Sequence, residues 1–261
     1  MKIAVEELVM TQRTDAASAF SSYSQPAPSP SEDRADDLSG LSARIHRQLI
    51  GYVGLALPSL LIVITWLRPD RPEQPWRWYG SISAYYYTGA VAAFVGLLVA
   101  LALFLLAYRG YRNKYQLVDR LAAAIAGVAA LGVAFFPTRA PDGFTAAAWW
   151  TETTGVLHYV SAVVLFAMFA VFSLWLFRLT GNGGQPPADK RNRNRVYLLC
   201  GIAIVASIAW AGVAGMNKQS ILVPESIALV AFAVSWLVKG RVDKSIVDTA
   251  RSIGSKVKGK T

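Results

Sequence analysis

The chain has 261 residues, 54% of them hydrophobic and only 16% charged, with a mean hydropathy of +0.37. That balance lies outside the range of soluble domains and leaves most apolar side chains to face lipid or other helices. The single cysteine excludes an internal disulfide and any Cys-based zinc or iron–sulfur site, and two histidines exclude a multi-His metal centre, so no metal and no cofactor are expected.

Residues 1–47 include the low-complexity piece AASAFSSYSQPAPSPSEDRADDLSG and show no sustained helical or strand period, which predicts a largely disordered cytoplasmic tail. It lacks the apolar core of a signal peptide, so the first hydrophobic helix is expected to act as an uncleaved insertion signal. A short amphipathic piece, Leu41 to Gln48, leads into the membrane domain, residues 48–239. Six apolar runs follow, at about 49–67, 89–108, 120–137, 156–177, 196–215 and 221–238. Each approaches the roughly 20 residues that cross a hydrocarbon core of about 30 Å at 1.5 Å rise per residue. The fold class is therefore all-α, a polytopic transmembrane helical bundle with six spans.

Pro58 removes a backbone donor inside the first run and predicts a kink there. The third run places small residues at Ala126, Ala130 and Ala134 and again at Ala123 and Gly127, spacings that let helices approach closely in lipid. This helix is expected at the centre of the bundle. Residues 240–261 form a basic tail in which Val242, Ile246, Ala250, Ile253 and Val257 recur at helical spacing, suited to an anionic leaflet or simply solvated.

The formal net charge of +10 admits nucleic acid or membrane topology as its cause. Twenty-one of the 26 Lys and Arg fall in the two tails and the 109–120 and 178–195 loops, against five in the alternate loops. Such asymmetry puts both termini in the cytoplasm and makes the charge topological, so nucleic acid is not an expected partner. Trp and Tyr gather at the ends of the runs, Tyr108, Trp175, Tyr197 and Trp236 at the inner ends, as interfacial belts do.

Polar residues within or beside the spans are few, and lipid makes each costly. Thr151, Thr154, His158 and Ser161 are spaced three, four and three and share one face of the fourth run, with Glu152 at its entrance. His158 is read either as a proton acceptor or ligand contact, or as a neutral imidazole bonded to a neighbouring helix. Glu225 follows Pro224 in the first turn of the sixth run, where a helix dipole favours an acid, yet it lies inside the apolar boundary. Cys200 and Ser207 read as packing residues, with Asn217 and Lys218 at the end of the fifth run. Before the second run, Ser81, Ser83, Tyr85, Tyr86, Tyr87 and Thr88 form a hydroxyl-rich stretch that serves as a helix cap and aromatic belt, or as part of a site. By topology these hydroxyls, Glu152, His158, Glu225 and Lys218 open on one outer face, which suggests an outward pocket at headgroup depth. No P-loop, HExxH, GxSxG or CxxC occurs, and Gly181-Asn182-Gly183-Gly184 has a linker's spacing. The basic run KRNRNR beside it suits a topology anchor or contact with anionic lipid.

The segments SISAYYYT, FVG, YRGY, AFFPT, LHYVSAV and SWLVKG resemble a group of uncharacterised bacterial six-span membrane proteins, over roughly Gly51 to Gly240. More loosely, the layout is similar to DRAM/Frag-like proteins. The resemblance implies the bacterial cytoplasmic membrane and a topology but brings no reaction. A distant likeness to membrane ceramidase-type hydrolases is weakened by the single histidine within a span. Two functions follow as expectations: binding of a membrane lipid or small ligand, or service as an accessory subunit in a homo-oligomer or larger membrane complex. The alternative is a lipid-headgroup hydrolase or transferase with His158 as base and Glu225 or Glu152 as its orienter or ligand. A transporter or channel is less favoured, because the inner halves of the spans hold few polar groups.

Overall fold

A computed structural model describes residues 30–67, 79–110, 114–179 and 188–241. The chain divides into two compact units, Met1–Ser42 and Ala43–Thr261. In the first, residues 30–42 are helical; the second holds the bundle. Among the described residues the regular elements are helices: α1 (Pro30–Leu67), a 3-10 turn at Ser83–Tyr87, α2 (Val91–Leu106), α3 (Gln116–Phe135), α4 (Glu152–Leu174) with a 3-10 turn at Leu176–Arg178, α5 (Ala188–Met216) and α6 (Leu222–Lys239). Five of them are long and apolar enough to cross a membrane, while α2 is a shorter apolar helix. An apolar bundle of this kind is that of an integral, multi-pass membrane protein.

The boundaries differ from expectation in two places. The first helix begins at Pro30, well before residue 49. Proline at the opening position, followed by Glu32 and Asp33, is a helix start that the low-complexity reading of this stretch passed over. The expected 89–108 run yields only Val91–Leu106, because Gly89 and Ala90 form a turn in which Val91 N–H donates to the Thr88 carbonyl at 3.1 Å. Residues 1–29, 68–78, 111–113, 180–187 and 242–261 lie outside the described residues, and with them most of the expected N-terminal tail, the glycine-rich loop and nearly all of the basic C-terminal tail.

Small side chains decide the packing. Ala123, Ala126, Ala130 and Ala134 of α3 are buried. A Cβ on Gly127 would stand 3.0 Å from the Ala102 carbonyl oxygen of α2, and one on Gly132 would strike Ser161 of α4. Helix α3 is thus pressed between α2 and α4, as its small-residue spacing predicts. Helix α5 is the least enclosed and presents Leu199, Ile202, Val205, Trp210 and Val213 outward. Exposed apolar surface on that scale suits lipid and would be costly in water.

The inner ends of α4 and α6 meet through rings. Phe169 and Phe232 stack at 3.6 Å, and Trp236 lies within 5.0 to 6.0 Å of Tyr108, Phe172, Phe177 and Phe232. Tyr108, Tyr197 and Trp236 are therefore core residues and not a belt; of the four inner aromatics named, Trp175 is the exposed one. Hydropathy places a ring at the right height along a helix but does not say which way it turns.

Candidate functional site

The hydroxyl-rich stretch before α2 folds as a small platform across the outer ends of the helices. Its first anchor is backbone. The Gly80 carbonyl accepts from Ile221 N–H at 2.7 Å, Leu222 N–H at 3.1 Å and Ser220 Oγ at 3.2 Å, so it satisfies the opening of α6. Glu225, one turn further into α6 and buried, accepts from Ile82 N–H through Oε2 at 2.6 Å.

The second anchor is His158 of α4. Its Nδ1 lies 2.6 Å from the Phe136 carbonyl oxygen and its Nε2 lies 2.8 Å from Ser83 Oγ. A carbonyl only accepts, so Nδ1 carries the proton, and in the neutral ring Nε2 accepts from the Ser83 hydroxyl. Both ring nitrogens are committed, in the manner of the plainer of the two sequence readings. His158 and Glu225 do not bond each other; they hold adjacent residues, Ser83 and Ile82, of one segment.

The remaining bonds stiffen the platform. Ser81 Oγ accepts from Ala84 N–H at 3.0 Å, Thr88 Oγ1 donates to the Tyr85 carbonyl at 2.8 Å, and Tyr87 donates its hydroxyl proton to the Thr138 carbonyl at 2.5 Å. Tyr85 is buried against Tyr79 at 5.1 Å, its hydroxyl in contact with the Thr65 side chain and the Tyr79 backbone. Burial pushes the Tyr85 phenol above its ordinary value, against the opposing pull of those two contacts. The Tyr87 phenol is raised too, first by burial and then by Tyr86. Tyr86 packs edge-on against Phe94 at 6.2 Å and stays half-buried.

The structure therefore gathers Ser81, Ser83, Tyr85, Tyr86, Tyr87, His158 and Glu225. Other expected site residues stand apart. Thr154 forms a reciprocal cap with Thr151, Thr154 N–H to Thr151 Oγ1 at 3.3 Å and Thr151 N–H to Thr154 Oγ1 at 2.9 Å. Glu152 is exposed in the first turn of α4, where it complements the helix dipole. Ser161 fills the notch at Gly132, and Asn217 donates back to the Val213 carbonyl of its own helix at 3.0 Å. Lys218 is exposed at φ +54, at the turn that ends α5. Among the described residues no group of three or more His, Cys, Asp or Glu is placed to hold a metal ion.

Sequence reasoning missed the partners that are backbone: Gly80, Ile82, Phe136 and Thr138. Their only signal is position, since three of them flank turns and Phe136 ends α3, where carbonyls are left unpaired.

No curated protein and no solved structure matches the chain. One family model does, over residues 94–239, which is more than half of the chain and runs from α2 to the last residue of α6. His158 and Glu225 fall inside that span and the platform falls outside it. The chain belongs to the DUF998 family, described as proteins of unknown function.

Proposed function

We propose that this is a six-span protein of a bacterial cytoplasmic membrane, with both termini cytoplasmic, that binds a lipid headgroup or small polar ligand on its outer platform. The Lys and Arg asymmetry supports the orientation. The short α2 is about 24 Å long at 1.5 Å per residue, and the turns flanking it bring the crossing close to bilayer thickness. The observation that carries the binding reading is the double clamp: Glu225 of α6 and His158 of α4 hold Ile82 N–H and Ser83 Oγ. Such a clamp fixes the half-buried Ser81 and Tyr86 in place, and preorganised polar groups lose little on binding. Trp150, beside the first turn of α4, adds a buried indole N–H without an acceptor among the described residues.

The hydrolase reading is weakened because the base it needs has both nitrogens engaged. The accessory-subunit reading loses part of its motive, since the Ala and Gly face of α3 is consumed inside the chain.

Native mass spectrometry of the gently extracted protein, with lipid analysis of the same sample, tests the proposal. A retained lipid or small ligand that is lost on Tyr86→Phe or His158→Ala is the expected result. Retention of a protein partner alone, or a ligand held equally by wild type and both variants, overturns it.

A further inference from the structure

At the opposite end of the bundle the structure gathers basic side chains that the sequence scatters over three elements. Lys190 of α5 donates Nζ to the carbonyls of Phe177 at 2.9 Å and Leu179 at 3.2 Å. Lys239, the last residue of α6, donates to the same Phe177 carbonyl at 3.3 Å and lies over the Phe177 and Tyr197 rings, 4.9 and 5.9 Å from their centroids. Two ammonium groups that share one carbonyl oxygen stand within about 6 Å of each other, a separation at which like charges repel. Arg47 and Arg193 lie within electrostatic reach of Lys239, and Arg193 and Arg241 within reach of Lys190. Arg47 is buried in α1, next to Gln48, whose Nε2 donates to the Gly240 carbonyl at 2.9 Å.

Two carboxylates join the group. Asp119 lies within reach of Lys239, and Asp189 pairs with Arg193 and stands 4.0 Å from Arg241. Five cations thus face two carboxylates, an excess of three among the described residues. A topology anchor needs only that Lys and Arg remain on the cytoplasmic side, free to spread into water. Arg191 and Arg195 of the same basic run do so and are exposed. Lys190 and Arg193 instead turn inward at a spacing of three, onto a half-buried face where crowded positive charge is costly without an anion.

We propose that Arg47, Lys190, Arg193, Lys239 and Arg241 form a binding site for one phosphate group, carried by an anionic lipid headgroup or by a free phosphate. Guanidinium forks bind phosphate oxygens in pairs, and ammonium groups add point charge. The site is independent of the outer platform, and its failure leaves that reading untouched.

The test uses the full chain in non-ionic detergent with two probes. Native mass spectrometry follows retention of phosphatidylglycerol against phosphatidylcholine, and thermal unfolding is followed in inorganic phosphate against chloride at equal ionic strength. Preferential, saturable retention of one phosphatidylglycerol assigns the lipid source; saturable stabilisation by inorganic phosphate assigns the free one. In either case Arg193→Gln and Arg241→Gln weaken binding about fivefold each, the effect of removing one cation near a bilayer surface. Arg191→Gln leaves binding unchanged. Lys190→Arg, which keeps the charge, retains binding where Lys190→Gln loses it or fails to fold. Absence of saturable binding by both probes overturns the proposal, as does equal weakening by Arg191→Gln and Arg193→Gln.

Discussion

Because His158 and Glu225 hold adjacent residues of one segment, their loss is expected to be coupled. Glu225→Ala removes the acceptor 2.6 Å from a buried Ile82 N–H, and an unpaired buried donor costs about 1–3 kcal/mol. His158→Ala removes partners from Phe136 and Ser83 and leaves the space of an imidazole, which together amount to about 2–4 kcal/mol. Once either anchor is gone, the segment from Gly80 to Thr88 is partly released and the other anchor holds less. The double variant should therefore fall short of the summed losses by about 1 kcal/mol, the size expected of contacting residues. Denaturant titration of the four proteins in one detergent measures this, with Glu225→Gln as a milder control that keeps an acceptor oxygen. Single variants within about 0.5 kcal/mol of wild type would refute the clamp. Losses that add to within about 0.3–0.5 kcal/mol would show two independent anchors.

Other consequences follow from packing and burial. Gly127→Ala forces a Cβ to 2.8 Å from Leu106 Cγ and 3.0 Å from the Ala102 carbonyl, and should cost about 1–3 kcal/mol by the same titration. Gly96→Ala, whose Cβ meets nothing within 4 Å, should be neutral or gain up to about 1 kcal/mol. The Trp236 indole N–H has no hydrogen-bond acceptor among the described residues, so Trp236→Phe should cost far less than Trp236→Ala, for which about 3–5 kcal/mol is expected; equal losses would contradict that reading. Tyr85 is held neutral by burial, above its ordinary value of 10.0. Its stabilisation is therefore complete below pH 10 and is lost as pH rises through the folded value. An ultraviolet phenolate titration should show a late step that disappears in Tyr85→Phe; ionisation together with the exposed tyrosines would count against it.

The class of protein was legible in the chain because membrane insertion is a one-dimensional criterion, the length of an apolar run. So was the central place of α3, since Ala123, Ala126, Gly127 and Ala130 make close approach possible whichever neighbours arrive. The sequence also marked His158 and Glu225, because a titratable group in an apolar run stands out. It could not say what they hold. Their acceptors and donors are the Phe136 carbonyl, the Ile82 N–H and one serine hydroxyl, and backbone groups have no letter in a sequence. Only the threading of α4 and α6 past one loop brought those groups within bonding distance. The same applies at the other end, where Lys190 turns inward and Arg191 outward on adjacent positions of one helix. Composition fixed how many charges lie on that side, and the rotation of α5 against α4 and α6 decided which of them meet.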